Sequence, residues 1–191
     1  MPKQQLTAAA YHLKPSEVNK IILATDSFRD RCLIKTLYWA GLRRAEVRNL
    51  DIRDIDYDRK RITLTGKGDK TRVVPIISDE FLSDLKHLIG LKKQGLVFSY
   101  AQGKQLSLMA INKIVAKAGK RAGISNPNPR LKHINPHIFR HSIARYLKNK
   151  KFSAEWIQNF LGHASYKTTM DMYGTLSIDE MQTEAERKLM E

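Results

Sequence analysis

Cysteine is almost absent from this chain, since Cys32 is the only one among 191 residues. A single cysteine excludes an internal disulfide, which fits a reducing cytoplasm. Cys32 lies in an apolar stretch of helical pattern with no obvious activating neighbour, so we interpret it as a core thiol. No apolar run approaches the roughly 20 residues that span a bilayer, and no signal peptide opens the chain. These absences predict a cytoplasmic protein with no membrane partner.

Motifs that bind common cofactors are absent too. The chain contains no cysteine and histidine cluster with zinc spacing, no Walker loop and no G-x-G-x-x-G. We therefore expect its chemistry to need no cofactor, neither a nucleotide nor a protein-bound metal.

Positive charge, by contrast, is abundant. Lysine and arginine number 34 against 19 acidic residues, which gives a net charge of +15. The excess is distributed along the chain, and a distributed basic surface favours a polyanionic partner, most often nucleic acid. On charge alone, a merely soluble basic protein or a ribosome-associated protein remains an alternative.

Hydrophobic periodicity predicts a mostly helical chain that contains a small sheet. Helical patterns begin at Pro15, Pro136, Ser153 and Ser177. Others extend over Phe28 to Ala40, Ser78 to Ile89 and Ser107 to Ala122, and a short one ends near Leu50. Strand patterns occupy Ile52-Ile55-Tyr57, Arg61 to Thr65 and Thr71 to Ile76, and a hairpin tip at residues 66–70 joins the last two. The predicted class is α+β, helix dominant, with a three-stranded antiparallel sheet.

The same patterns predict the organisation of the chain. Residues 1–12 are expected to form an arm or linker, and residues 13–176 one domain. Residues 177–191 are expected to form a C-terminal helix, because Ser177-Ile178-Asp179-Glu180 has the sequence of a capping box.

The stretch from residue 135 to residue 173 carries the clearest chemistry. Asn135-Pro136 predicts a helix start, so His137 and Arg140, spaced i and i+3, share a face near its N-terminus, where anions bind favourably. Leu161-Gly162-His163 ends the next helix at the glycine and presents His163 as a third polar group, and Tyr173 follows ten residues later. The set predicts a phosphate site with a hydroxyl nucleophile. Each member alone has an ordinary alternative: a solvated helix face, a helix C-cap or a packed tyrosine.

Two upstream features are ambiguous by themselves. Arg43 and Glu46 are spaced to hold one another in a partly buried position, although a plain surface ion pair has the same spacing. Lys67 lies between two glycines at the hairpin tip, where the backbone could approach a ligand closely. A hairpin lysine is, however, usually just solvated.

Taken together, these residues resemble the catalytic set of the tyrosine recombinase (phage integrase, Xer-like) family. The matching segments are AGLRRAEV, LTGKGDKTRVVPI, PHIFRHSIARYL and IQNFLGHASYKTTMDMYG, which contain Arg43, Lys67, His137, Arg140, His163 and Tyr173. The resemblance extends from about Lys14 to Tyr173. Two mild departures, Phe139 in place of leucine and Arg145 in place of a small residue, touch no catalytic position.

The resemblance implies a DNA breaking-rejoining catalytic domain over residues 13–176. Tyr173 would cleave DNA to a 3′-phosphotyrosyl bond and a free 5′-hydroxyl, which a second strand's 5′-hydroxyl reverses without ATP. Arg43, Arg140 and His163 would bind the non-bridging oxygens, Lys67 would be the general acid, and His137 a base or orienting group.

Further residues are assigned supporting roles. Glu46 would hold Arg43 or His137, and His141 would lie close behind the site. Contacts to the DNA are expected from Arg44, Lys70, Arg72 and Arg145.

The implied partners are double-stranded DNA and other protomers, assembled on DNA as a dimer or tetramer, which places the protein at the nucleoid. The C-terminal helix would dock into a neighbouring protomer or pack onto its own domain. The family's N-terminal core-binding domain has no counterpart in these residues, so we expect an isolated catalytic half or a reduced family member.

Two rival functions remain open. A type IB topoisomerase shares the phosphotyrosine chemistry but relaxes supercoils without synapsis of two sites. A non-catalytic DNA-binding regulator would bind in a salt-sensitive way and form no covalent adduct.

Overall fold

The computed structural model describes residues 11–65 and 71–162. Its helices are α1 Pro15–Leu23, α2 Phe28–Trp39, α3 Arg44–Asn49, α4 Asp79–Ile89, α5 Leu108–Arg121, α6 Pro136–Asn149 and α7 Ala154–Leu161. Its strands are β1 Ile55–Asp56, β2 Arg61–Thr65 and β3 Thr71–Pro75. The predicted class, mostly helical with a small three-stranded antiparallel sheet, is confirmed.

Most helix starts have a local signal in the sequence. Proline occupies the first turn of α1 and α6, where its missing N–H costs no hydrogen bond. Four other helices begin after a serine whose hydroxyl accepts a backbone N–H of the first turn. These N-caps are Ser27, Ser78, Ser107 and Ser153.

The sheet has the order β1-β2-β3 with antiparallel neighbours. Ile62 lies opposite Val74, and both are fully buried. The strand predicted through Ile52 and Tyr57 was too long, because Ile52–Asp54 is a 3-10 turn and Tyr57 lies in the turn that follows β1. The Asp51 side chain accepts the Arg53 N–H, which stabilises the 3-10 turn against an extended chain.

The core centres on α2, which packs against both α4 and α6. Cys32 is fully buried in that helix, and burial raises the pKa of its thiol to about 12, so the prediction of a core thiol is confirmed. From α6, Phe139 and Ile143 are fully buried, whereas Tyr146 is only half-buried.

The chain before α1 is tied to α6. The backbone N–H of Leu13 donates to Ser142 Oγ at 2.8 Å, and Leu13 is buried. The predicted arm lies almost wholly outside the described residues, as do the hairpin tip and the predicted C-terminal helix. The division at residues 12 and 176 stays a prediction.

Within residues 11–65 and 71–162, no helix is long and apolar enough to cross a membrane. In the same part of the chain, no group of three or more histidine, cysteine, aspartate or glutamate side chains is placed to hold a metal ion.

Candidate active site

Arg43 is fixed where the chain turns from α2 into α3. It is the N-cap residue of α3, and Glu46 occupies the third helical position. The Glu46 carboxylate accepts the Arg43 backbone N–H at 2.7 Å and the Arg43 Nη1 donor at 2.9 Å. The predicted contact between these two residues is confirmed, and it is partly buried.

Arg140 reaches the same place from the interior of α6. Its side chain is only 2 % exposed, and Nη1 donates to the carbonyl of Gly41. Its Nη2 donates to the carbonyl of Leu161. Burial and the neighbouring Arg43 lower the pKa of Arg140 to about 9, which leaves the guanidinium charged at neutral pH. Among the described residues it forms no ion pair, and a buried cation held only by carbonyls is ready for an anionic ligand.

The two arginines meet at the C-terminal end of α7. Arg43 Nη2 donates to the carbonyl of Gly162 at 3.2 Å, and Arg140 donates to the carbonyl of the preceding residue, Leu161. Carbonyls at a helix C-terminus lack partners within the helix and attract cations. The structure therefore brings together two of the predicted site residues that lie far apart in the chain.

Gly162 makes this meeting point possible. Its φ of +64° lies in the left-handed region that glycine favours. A Cβ at this position would also lie 2.3 Å from Arg72 Cδ and 2.7 Å from Arg72 Nε. The next residue, His163, lies outside the described residues, as do Lys67, Lys70 and Tyr173.

Arg72, predicted as a DNA contact, lies within the same cluster. Its Nη1 and Nη2 donate to the two oxygens of Glu46 at 2.5 and 2.9 Å, in a bidentate pair. The signal that sequence reasoning missed is the alternation of β3, since Arg72 is spaced i, i+2 from the buried Val74 and shares its face.

Glu46 binds two guanidiniums at once. Burial alone would raise the pKa of Glu46, but hydrogen bonds from Arg72 and Arg43 hold that pKa below its ordinary value. Of the two partners predicted for Glu46, both of which lie in the described part of the chain, Arg43 forms hydrogen bonds with it and His137 does not. Three guanidiniums, Arg43, Arg72 and Arg140, against one carboxylate leave the cluster with a net charge of +2.

The two histidines of α6 lie one turn apart, with ring centroids separated by 6.2 Å. Partial burial, Arg140, Arg43 and Arg44 all lower the pKa of His137, which favours the neutral ring at pH 7. Burial, with the charges of His137 and Arg140, lowers the pKa of His141 to about 4. His141 Nδ1 is buried and has no hydrogen-bond partner within the described part of the chain.

A cavity of about 430 Å³ opens beside His137, and Arg44, Asn112 and Asn135 contribute to its walls. Arg44 is exposed and donates to Asn112 Oδ1 at 3.2 Å. Asn135 occupies the predicted N-cap position of α6, but its side chain makes no capping bond, and its Oδ1 is buried without a partner among the described residues. Arg145, the remaining predicted DNA contact, is half-buried on α6.

The family of this chain follows from comparison with known proteins. The phage integrase family model matches residues 12–178, so the chain belongs to the phage integrase family, that of the tyrosine recombinases. One relative, the tyrosine recombinase XerC of Proteus mirabilis, is 34% identical over 149 residues, which cover 75% of this chain and 46% of the relative. The chain thus spans about half the length of the curated relatives that it matches.

Solved structures show the same fold. The crystal structure of XerA recombinase superimposes with a TM-score of 0.77 at 27% identity, covering 93% of this chain and 64% of that one. The XerH site-specific recombinase bound to its difH substrate, in a pre-cleavage complex, gives a TM-score of 0.71 at 27% identity. That match covers 91% of this chain and 51% of XerH.

Proposed function

We propose that this chain is the catalytic part of a site-specific DNA recombinase or integrase that cleaves and rejoins DNA strands through a 3′-phosphotyrosyl intermediate. The observation that carries the proposal is the convergence of Arg43 and Arg140 on successive carbonyls at the end of α7. The cluster that results is cationic and partly buried. His163 is the residue that follows Gly162 in the sequence.

In the proposed reaction, the phenolic oxygen of Tyr173 attacks the scissile phosphorus. A bond between phosphorus and the tyrosine oxygen forms as the bond to the 5′-oxygen breaks, and Lys67 donates the proton that the leaving oxygen takes up. Attack by the 5′-hydroxyl of a second strand then reverses the step. The phosphodiester bond energy is retained, so the cycle needs neither ATP nor another cofactor.

The arginine cluster suits the charge that develops on the phosphate. A phosphodiester carries one negative charge, and the pentacoordinate phosphorane carries two, which the net charge of +2 at the cluster balances. Fork-shaped donors can each bind two oxygens. Loss of one such preorganised donor typically lowers a rate by about 10²–10³-fold. His163 would add a further donor to the same oxygens.

His137 is the proposed base or orienting group for Tyr173. A tyrosine with a pKa near 10 is ionised in only about one molecule in a thousand at pH 7, a handicap of roughly 4 kcal/mol. The lowered pKa of His137 keeps its ring neutral and able to accept the phenolic proton. His137 is also exposed, so a tyrosine from this or a neighbouring protomer could reach it. His141, one turn behind, would orient it.

The proposed partner is double-stranded DNA, since XerH is seen bound to difH substrate and this chain carries a net charge of +15. Arg44, Lys70 and Arg145 would contact the backbone outside the catalytic cluster. Recombination joins two sites, so we propose that protomers assemble on DNA as a dimer or tetramer, at the nucleoid. Light scattering with and without residues 177–191, on and off DNA, tests whether the C-terminal segment links protomers; unchanged assembly would exclude that link.

A trapping experiment tests the reaction and identifies the site. Nicked suicide duplexes with a randomised central sequence are incubated with the chain, and covalent adducts are recovered after SDS denaturation and sequenced. We expect adducts of one sequence class with the native chain and none with Tyr173→Phe. Adducts with no sequence preference, together with relaxation of plasmids that lack a site, would indicate a topoisomerase. Salt-sensitive binding without any adduct would indicate a non-catalytic binder.

A further inference from the structure

We propose that Arg72 is a positioning residue, which holds Glu46 and thereby leaves the guanidinium of Arg43 free to bind the scissile phosphate. This inference rests on the proposed function, because it assigns Arg72 an effect on cleavage. It also replaces the expectation that Arg72 contacts DNA directly.

The Glu46 carboxylate binds the guanidinium of Arg72 more extensively than that of Arg43. Arg72 takes both carboxylate oxygens with its two Nη atoms, at 2.5 and 2.9 Å. The guanidinium of Arg43 has one contact with the carboxylate, from Nη1 to Oε1 at 2.9 Å, and the other oxygen accepts the Arg43 backbone N–H. Bidentate pairs are stronger and more specific in geometry than single contacts. Glu46 is therefore committed mainly to Arg72.

The remaining contact of the Arg43 guanidinium is easily exchanged. Its Nη2 donates to the Gly162 carbonyl at 3.2 Å, at the long end of N–H···O distances. A phosphate oxygen carries more charge than a carbonyl and forms a shorter, stronger bond with a guanidinium. The Arg43 side chain is also 40% exposed, against 20% for Arg72. Of these two arginines, Arg43 is the one that a ligand can reach.

Arg72 is held in place from two sides. Strand β3 packs against α7, and the Cδ and Nε atoms of Arg72 lie directly over Gly162. The Arg72 side chain thus contacts both partners of the Arg43 guanidinium: the Glu46 carboxylate and Gly162, whose carbonyl accepts from Arg43. Both of its Nη atoms are bound to Glu46, and its Nε is buried with no hydrogen-bond partner in the described part of the chain, so Arg72 presents no accessible pair of donors to a phosphate.

Removal of Arg72 would redirect Glu46. Both carboxylate oxygens that Arg72 vacates would be free to accept further hydrogen bonds from Arg43, and the carboxylate would then compete with the phosphate for the Arg43 fork. Cleavage should suffer more than DNA binding, because many other cations hold the backbone. Removal of the Glu46 charge as well should relieve that competition. The two substitutions should therefore be strongly non-additive.

The test compares single-turnover cleavage and DNA affinity in Arg72→Met, Glu46→Gln and the double variant. Arg72→Met should slow cleavage by about 10- to 100-fold and change the dissociation constant by less than about threefold. Adding Glu46→Gln to Arg72→Met should restore at least about fivefold of the lost rate. A direct DNA contact would instead weaken binding as much as cleavage, with no restoration by Glu46→Gln, and that result would overturn the proposal.

Arg53 provides a matched control. It forms a similar forked pair with Asp51, through Nε and Nη2 at 2.8 and 3.2 Å, but close to β1, at the opposite edge of the sheet from β3. Arg53→Met should leave the cleavage rate unchanged. An equal loss of cleavage rate in Arg53→Met and Arg72→Met would show that removal of any arginine slows cleavage, which would contradict a positioning role for Arg72.

A measurement without DNA separates this inference from the proposed function. Carbon-detected NMR titration of the Glu46 carboxyl should show its pKa rise in Arg72→Met, and an unchanged pKa would overturn the proposal. Should Arg72→Met fail to fold, Arg72→Lys retains the charge without the fork and should give a smaller rise. If the native chain forms no adduct on any DNA, the proposed function fails, while the titration still decides whether Arg72 holds Glu46.

Discussion

Arg43 and Arg140 donate to the carbonyls of two successive residues, Gly162 and Leu161, at the end of one short helix. Neither arginine is tied to that helix by sequence proximity, since Arg43 begins α3 and Arg140 lies within α6. The end of α7 therefore acts as a common anchor for both guanidiniums. This relationship makes the geometry of the site sensitive to small changes at residue 162.

Arg140→Lys is expected to abolish the precise placement of charge while keeping the charge itself. A lysine cannot donate to the Gly41 and Leu161 carbonyls with the geometry of the fork. We expect the single-turnover cleavage rate to fall by about 10²–10³-fold, with DNA affinity changed only a few-fold.

Arg121→Lys is the control for this change, because Arg121 is an exposed residue of α5 that pairs with Asp26. It should cleave like the native chain. Loss of affinity in Arg140→Lys equal to its loss of rate would refute the division of roles between the catalytic cluster and the rest of the basic surface.

Gly162→Ala should destabilise the protein more than an alanine at a glycine with a similar φ. Gly123 has a φ of +67°, and no atom lies within 4 Å of the position that a Cβ would take there, so Gly123→Ala costs only backbone strain, about 1 kcal/mol. Gly162→Ala adds a collision with Arg72 and should cost at least about 2 kcal/mol in free energy of unfolding. Chemical denaturation of both variants measures the difference.

Cleavage supplies a second readout for the same pair. Gly162→Ala should slow it, since Arg72 and the Gly162 carbonyl must both shift, whereas Gly123→Ala should not. Equal stability and equal cleavage in the two variants would show that the close approach of Arg72 to Gly162 has no energetic consequence.

Stability should decline as the pH falls from about 6.5 to about 4, with a contribution from His141. The pKa of His141 is lowered from 6.5 to about 4 in the folded chain, so the unfolded chain binds more protons between these values. The loss from this one residue is at most about 1.4 kcal/mol per pH unit. Unfolding curves at several pH values should show a shallower decline for His141→Gln, and an unchanged decline would contradict the burial of the ring.

Cys32 should resist alkylation in the folded protein. Burial and the nearby Asp84 carboxylate raise the pKa of the thiol to about 12, so at pH 8 only about one molecule in ten thousand carries the reactive thiolate. Iodoacetamide labelling followed by mass spectrometry should give no product in buffer and complete labelling in concentrated urea. Labelling of the folded chain at the rate of a free thiol would contradict its place in the core.

Most helix boundaries could be predicted from sequence because their signals are local. The serines before α2, α4, α5 and α7 and the prolines that open α1 and α6 act on backbone groups within one turn. The strand predicted from Ile52 to Tyr57 was too long, and part of the reason is a long-range contact. The Ile52 N–H donates to the Gly95 carbonyl rather than to a neighbouring strand.

The candidate site divides in the same way. The chemical identity of its groups, and the pairing of Arg43 with Glu46 across three residues, follow from the order of residues along the chain. Long-range packing alone places Arg140 against Gly41 and Leu161, and brings Arg72 of the sheet onto Glu46. The physical reason is that the periodicity of a helix or strand determines which of its side chains share a face. Contacts between elements depend instead on how the buried core packs, which no local pattern specifies.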